Sequence, residues 1–188
     1  MKRSLIWIFW TILALGLFSC STLKVSQDFD QNADFSTFKT FAWQEDVQPK
    51  TGDIRVDSPL IDARIRASIK ANLALKGMDY SSEDLPDFKV AYTYTIMTKL
   101  QSTPVSTGVG IGYGNSGGLG GIGMRTGADV REYDEGLLVV DVLDPDTGKL
   151  LWRGTSTRVV NIHTTPEKAT EDIEATVAKL LEQFPPKK

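Results

Sequence analysis

The sequence predicts an α+β fold, a two-layer sandwich in which a mostly antiparallel sheet of four to six strands carries two amphipathic helices on one face. Two segments place apolar residues about every four positions, the spacing of one helix face. Other segments alternate apolar and polar residues with period two, which is typical of strands with one buried face. Two such strands flank a short turn rich in Asp, Pro and Gly, which indicates a hairpin.

Extended segments open the folded region. Residues 23–29 and 38–44 are predicted strands, separated by turn-forming residues. The polar segment 45–57, which contains Pro49 and Gly52, is predicted to be a connecting loop.

Each predicted helix begins with a hydroxyl residue followed by proline. Ser58-Pro59 supplies the N-cap and first position of a helix of about eighteen residues. Thr165-Pro166 opens the second helix, and Pro185-Pro186 ends it. The apolar faces are predicted to pack in the core rather than against a ligand. They comprise Ile61, Ile65, Ile69 and Leu73 in the first helix, and Ala169, Ile173, Val177, Leu180, Leu181 and Phe184 in the second.

The remaining strands show the clearest alternation. In residues 87–97 one face carries Phe88, Val90, Tyr92, Tyr94 and Ile96, and core packing is favoured over a sugar-stacking surface for its tyrosines, as for Trp43 and Trp152. Residues 136–143 and 149–161 form the predicted hairpin around the turn 144–148, whose Gly148 is free to take a positive φ.

Asp141 lies inside the apolar strand 137–143. An ionised carboxylate there needs a partner if it is buried, and Arg153 on the opposing hairpin strand is the expected one. No second acid is spaced to complete a general acid–base pair, so a structural ion pair or a solvent-facing position is favoured over catalysis.

The N-terminus has the layout of an export signal. Lys2 and Arg3 precede an uncharged apolar run, residues 5–18, which is shorter than the ~20 residues of a membrane-spanning helix. Residues 17–20, Leu-Phe-Ser-Cys, resemble the bacterial lipobox, although Phe18 departs from its usual small or β-branched residue. The resemblance implies that residues 1–19 are removed and that Cys20, the only cysteine, is acylated.

Such an acyl anchor would attach the protein to a membrane of the cell envelope, since two or three chains on one cysteine hold durably where one holds marginally. Ser21 stands where an aspartate would favour the inner membrane, so the resemblance implies the outer membrane, facing the periplasm. A cleaved secretory signal with an incidental cysteine and an uncleaved signal anchor are the alternatives.

Composition excludes several function classes. Removing 19 of 188 residues leaves 169, a single domain over residues 20–188. The formal charge of −3 falls to −5 without Lys2 and Arg3, which argues against nucleic-acid binding. His163 is the only histidine and is predicted to lie in a loop or helix cap, so no catalytic triad, metal site or cofactor is expected.

A Gly-rich loop is predicted over residues 102–128. Ten of the sixteen glycines lie between Gly108 and Gly127, and two Gly-x-Gly-x-x-Gly spacings occur there. A dinucleotide site also needs a helix directly afterwards, and no helical period follows, so nucleotide binding is not expected. A mobile excursion between two strands is favoured, with a partner-contact loop as the alternative. The apolar residues that would make such contacts are Val109, Ile111, Tyr113, Leu119, Ile122 and Met124.

Six segments in order carry a resemblance that extends over most of the chain. They are residues 34–43, 61–66, 86–92, 136–141, 151–154 and 184–186. Together they resemble bacterial lipoproteins with the domain of unknown function DUF4136. The resemblance implies an envelope lipoprotein with an α+β domain, and it carries over no catalytic or ligand-binding residues because the family has no established activity.

The expected function is therefore that of a non-enzymatic, lipid-anchored envelope protein that binds or supports another envelope component, such as a protein partner. An envelope hydrolase that uses unidentified carboxylate or serine residues is the competing hypothesis, and a deep pocket with convergent Asp, Glu or Ser would favour it. A surface-displayed interaction protein is the third.

Overall fold

The computed structural model describes residues 23–45, 50–82, 85–102 and 130–187. In these ranges the elements are, in chain order, β1 (Lys24–Phe29), β2 (Thr40–Trp43), α1 (Pro59–Ala74), β3 (Asp79–Tyr80), β4 (Phe88–Ser102), β5 (Val130–Leu143), β6 (Leu150–Val160) and α2 (Pro166–Leu181). The predicted signal peptide, Cys20 and the apolar residues of the Gly-rich loop lie outside the described residues.

The strands form one mixed sheet in the order β1-β6-β5-β4-β2-β3. The pairs β1–β6, β6–β5 and β5–β4 are antiparallel, whereas β2 pairs in parallel with both β4 and β3. Both helices pack on one face of this open sheet. The predicted α+β fold with two helices is confirmed.

The core lies between the helices and that face of the sheet. Every second residue of β4, β5 and β6 points into it, beginning with Phe88, Val142 and Trp152 at one end of the sheet. Phe184 follows α2, and its ring centroid lies 5.0 Å from that of Trp152. These aromatic side chains fill this end completely, since each of the three rings is fully buried.

Two strands extend further than the apolar pattern predicts. β4 and β5 pair from Lys89↔Leu143 to Ser102↔Val130, so β5 begins six residues before the predicted start at Gly136. Pairing with β4 keeps the charged residues 130–135 extended. Their sequence lacks the alternation of apolar and polar residues that predicts a strand. β3 was not predicted, because its two residues are exposed and are placed only by pairing with β2.

The helix starts differ in one respect from prediction. Thr165 Oγ1 accepts a hydrogen bond from Lys168 N–H at 3.3 Å, as a capping residue should. Ser58 occupies the N-cap position of α1 but makes no side-chain cap bond. The first turns of both helices lie over the same end of the sheet, where residues of both line one cavity. We call this end the cavity end; it contains the end of β4 and the beginnings of β1 and β5.

Candidate functional site: a cavity beneath both helices

A cavity of about 340 Å³ lies between the first turns of the two helices and the sheet. Its volume falls in the range of about 300–1,000 Å³ that ligand pockets occupy. Aliphatic side chains supply nine of its nineteen lining residues. Six isoleucines contribute, namely Ile54, Ile61, Ile65, Ile96, Ile162 and Ile173.

Small residues on the sheet keep the floor of the cavity low. Gly136 and Ser156 are buried there, in strands whose other inward residues are large. A Cβ at Gly136 would lie 2.9 Å from Val160 Cγ1 and 3.0 Å from Tyr94 Oη, so only glycine fits without a shift. The Ser156 hydroxyl donates to the Leu138 carbonyl at 3.4 Å. The floor of the cavity therefore combines short side chains with those of Val160 and Tyr94, which lie over Gly136.

One wall of the cavity is an ion pair between sheet and helix. Arg158 on β6 donates from Nη2 to Asp172 Oδ1 at 2.9 Å and from Nη1 to the Asp172 carbonyl at 2.6 Å. The same Nη1 donates to Thr176 Oγ1 at 3.1 Å. The Arg158 side chain is 15% exposed. Asp172 therefore neutralises the charge of this arginine, and α2 accepts three of its hydrogen bonds.

A second arginine is also held by carboxylates. Arg55 contacts Asp53 at 2.7 Å and Asp134 at 3.1 Å. These contacts raise the pKa of Arg55, chiefly through the hydrogen bonds to Asp53. Arg55 thus links the loop before α1 to the beginning of β5 at the border of the cavity.

Arg64, the third arginine of the lining, lies on α1 and is half-buried. Among the described residues no carboxylate lies within 4 Å of its guanidinium. Glu167 in the first turn of α2 responds to its charge: the pKa of Glu167 is lowered by hydrogen bonds with its own backbone and Thr165, and then by Arg64. Arg64 is therefore the cation of the lining that is not paired within the described structure.

Tyr94 supplies a polar group to the largely apolar floor. Burial raises the pKa of its hydroxyl, and the charge of Arg158 opposes this shift. The hydroxyl therefore stays neutral at physiological pH and can act as a hydrogen-bond donor or acceptor.

The mouth of the cavity is apolar and exposed. Ile54 and Ile162 both line it, yet they are 90% and 47% exposed. Isolated apolar residues are common on surfaces, but two that border one cavity form an apolar rim. β1 begins at this end of the sheet, since Lys24 pairs with Thr157, which lies between the lining residues Ser156 and Arg158 of β6. The polypeptide before β1 therefore joins the fold at the cavity end.

The residues singled out in the sequence lie elsewhere. His163 is exposed in the segment between β6 and α2, where its N–H donates to Asn161 Oδ1 at 2.9 Å, and it does not line the cavity. Asp141 and Arg153 lie on the other face of the sheet, outside the core. Tyr92 and Trp152 are buried in the core as predicted.

The cavity itself was not predicted. The sequence predicts that Ile61, Ile65 and Ile173 pack in the core. The spacing of apolar residues along a helix is the same whether they contact other side chains or line a cavity. The available signal was the pair of small residues, Gly136 and Ser156, on otherwise bulky strand faces.

A cluster around Arg66 lies apart from the cavity, between α1 and β2. The Arg66 guanidinium lies 4.6 Å from the centre of the Trp43 ring and 5.6 Å from that of Tyr92. Arg66 Nε donates to Asp62 at 3.0 Å, and the Tyr92 hydroxyl donates to the same carboxylate. Burial first, and then the bond to Asp62, raise the pKa of Tyr92. The cluster holds α1 against the sheet.

Metal chemistry has no visible site in the described part of the chain, where no group of three His, Cys, Asp or Glu side chains converges. Within the same residues, no helix has both the length and the apolar character needed to cross a bilayer.

Two solved structures are similar to this chain. A PDZ domain protein from Parabacteroides distasonis superposes with a TM-score of 0.51 at 13% identity, over 88% of this chain and 37% of its own length. The PelC dodecamer from Paraburkholderia phytofirmans gives a TM-score of 0.49 at 9% identity, over 88% of this chain and 99% of its own. This chain thus spans well under half of the first protein, and at 13% identity the likeness to that protein shows a shared fold alone.

No curated protein matches the sequence. The sequence model of DUF4136, a domain of unknown function, matches residues 25–186, which include every described helix and nearly every described strand residue. The resemblance to the DUF4136 domain is therefore confirmed: the chain belongs to the DUF4136 family.

Proposed function

We propose that the chain is a lipid-anchored protein of the cell envelope whose domain binds an apolar ligand without transforming it. The observation that carries the binding role is the cavity, in which an isoleucine-rich lining surrounds a few polar groups. Ligand sites typically have this composition. The lipobox-like residues 17–20 support the anchor, with the membrane attached through acylated Cys20 on the periplasmic side of the outer membrane.

The state of the polar groups in the cavity favours binding over hydrolysis. Ser156, a candidate nucleophile, donates its hydroxyl hydrogen bond to a backbone carbonyl. Asp172, the carboxylate of the lining, is engaged by Arg158. A serine nucleophile needs a base within hydrogen-bond reach, and the only histidine, His163, is not part of the lining.

The anchor is tested by mass spectrometry of the protein purified from its native envelope. We expect a mature chain that begins at Cys20 and carries acyl groups, and we expect incorporation of labelled palmitate that Cys20→Ser abolishes. A mature chain that begins elsewhere, or that is recovered unmodified from the soluble envelope fraction, would contradict the anchor.

The binding role is tested by native mass spectrometry of the protein extracted in mild detergent. We expect a small apolar molecule to copurify with it. Ser156→Leu should displace this molecule, because the leucine side chain fills the floor of the cavity. Thr155→Leu is the matched control, since it adds the same side chain to the opposite face of β6. Equal retention by both variants would refute the cavity as the binding site. Ester hydrolysis that Ser156→Ala removes would instead refute binding without transformation.

A further inference from the structure

We infer that the cavity binds a single-chain amphiphile with an anionic head group, the chain lying beneath the helices and the head group at Arg64. This inference rests on the proposed binding role of the same cavity. It adds the chemical class of the ligand and the residue that selects it.

The aliphatic lining determines the body of the ligand. Isoleucine side chains offer contact area and no hydrogen bonds, so a ligand body rich in polar groups would lose its hydration without compensation. The volume of about 340 Å³ lies near the lower limit for ligand sites. A single hydrocarbon chain fits this space, whereas a lipid with two chains is too large for it.

The charge distribution determines the head group. Arg55 and Arg158 have their guanidinium groups occupied by aspartates, at 2.7–3.1 Å. Arg64 makes no ion pair within 4 Å among the described residues, and Glu167 interacts with it through charge alone. A half-buried guanidinium that makes no close ion pair with a described residue favours an anion, and its planar donor pair matches a carboxylate or a phosphate.

The position of the mouth indicates the direction from which the ligand arrives. Ile54 and Ile162 are exposed at the cavity end, where β1 also begins with Lys24. Cys20 is only four residues before Lys24 in the sequence. In the proposed anchored protein this short connection keeps the cavity end near the bilayer, where single-chain amphiphiles such as fatty acids and lysophospholipids reside.

The test uses the mature acylated protein in phosphatidylcholine nanodiscs with photoactivatable dodecanoic acid. After irradiation we expect labelled peptides from α1, β4 or β5 at the cavity. Photoactivatable dodecanol, which lacks the charge, should label these peptides roughly tenfold less, the effect of losing one hydrogen bond to a charged group. Ser156→Leu should abolish cavity labelling by both probes.

Arg64→Gln should lower labelling by the acid to the level of the alcohol and leave labelling by the alcohol unchanged. Arg153→Gln is the matched control, since this arginine lies on the opposite face of the sheet, and it should change neither. Competition by dodecanoate and by lysophosphatidylglycerol then distinguishes a fatty acid from a lipid-derived phosphate, according to which competes at the lower concentration.

The outcomes separate the two proposals. Equal labelling by acid and alcohol that Arg64→Gln does not change, but that Ser156→Leu abolishes, would refute the anionic head group and leave the cavity as a binding site. Labelling that Ser156→Leu leaves intact would refute both. Circular dichroism of each variant confirms that it is folded.

Discussion

Arg153 of β6 and Asp141 of β5 are joined by two parallel hydrogen bonds of 2.7 Å each, from Nε to Oδ1 and from Nη2 to Oδ2. The strands place the two residues directly opposite each other. The partner predicted for Asp141 from the sequence is therefore confirmed. The pair lies on the face of the sheet that the helices do not cover, and the hydrogen bonds to Asp141 raise the pKa of Arg153.

This ion pair should contribute little to stability. Because the Arg153 side chain is 49% exposed, we expect Asp141→Asn to lower the free energy of unfolding by less than about 1 kcal/mol. Urea unfolding of Asp141→Asn, Arg153→Gln and the double variant gives the coupling energy directly. A coupling of several kcal/mol would show that something covers this face of the sheet in solution.

Gly154 should tolerate no side chain. A Cβ there would overlap Cη2 of Trp152 and lie 2.9 Å from Cζ2, and the indole is fully buried with the Phe184 ring centroid 5.0 Å away. We expect Gly154→Ala to lower the free energy of unfolding by about 1–3 kcal/mol, the usual cost of overpacking a core. Urea unfolding followed by tryptophan fluorescence measures this loss.

Thr155→Ala is the control for that substitution, because it changes the neighbouring residue on the other face of the same strand. It should cost less than about 1 kcal/mol. Equal stability of the two variants would contradict the prediction, since it would mean that the indole can move aside for the added methyl group. The close packing at this end of the sheet leaves no room for such a movement.

Acid should destabilise the domain through carboxylates that accept backbone hydrogen bonds. Asp87 accepts from the N–H groups of Lys39 and Thr40, both at 2.8 Å, and these bonds lower its pKa below the ordinary value of 3.8. A pKa that is lower in the folded state means that the contribution is present above about pH 4 and is lost as the pH falls through the folded value. Asp57 behaves in the same way through Thr51 and Gly52.

The measurement is the urea midpoint at pH 7, 5 and 3. We expect little change between pH 7 and 5 and a marked fall between 5 and 3. Asp87→Asn should start from a lower midpoint at pH 7 and show a smaller fall at low pH. An equal fall in the variant would assign the acid sensitivity to other carboxylates.

Ser68→Ala should stabilise the protein. The Ser68 hydroxyl is buried in α1 and has no hydrogen-bond partner among the residues that the structure describes. Alanine removes this unsatisfied group and is the better helix former, so we expect a gain of about 1 kcal/mol. The matched control is Ser156→Ala, where the hydroxyl has the Leu138 carbonyl as acceptor and no gain is expected. A lower melting temperature for Ser68→Ala would contradict the prediction.

The features that the sequence predicted well depend on local information. The helix faces and the inward residues of β4 follow from periodicity, since each buried position recurs at the spacing of its own element. Gly148 takes the positive φ of 68° that its turn requires. The partner of Asp141 followed from the hairpin, because a short turn largely determines which residues face each other across it.

Features that depend on a distant partner were missed. β3 and the outer parts of β4 and β5 are extended only because another strand supplies their hydrogen bonds. Ser58, a good capping residue by composition, makes no cap bond, whereas Thr165 does. Both residues are hydroxyl residues followed by proline, so the sequence pattern does not show which of them makes the cap bond. The side-chain rotamer in the folded structure determines this.

The sequence by itself thus determined the α+β architecture, the two helices, the hairpin and the ion pair of Asp141, since these follow from periodicity and short-range geometry. The tertiary structure alone decided that Ile61, Ile65 and Ile173 border a cavity while Ile69 and Leu73, on the same face of α1, are packed closely. The physical reason is that packing depends on the volume of the opposing side chains. Opposite Ile61 and Ile65 lie Gly136 and Ser156, which come from strands more than seventy residues away from these isoleucines in the sequence and carry little or no side chain.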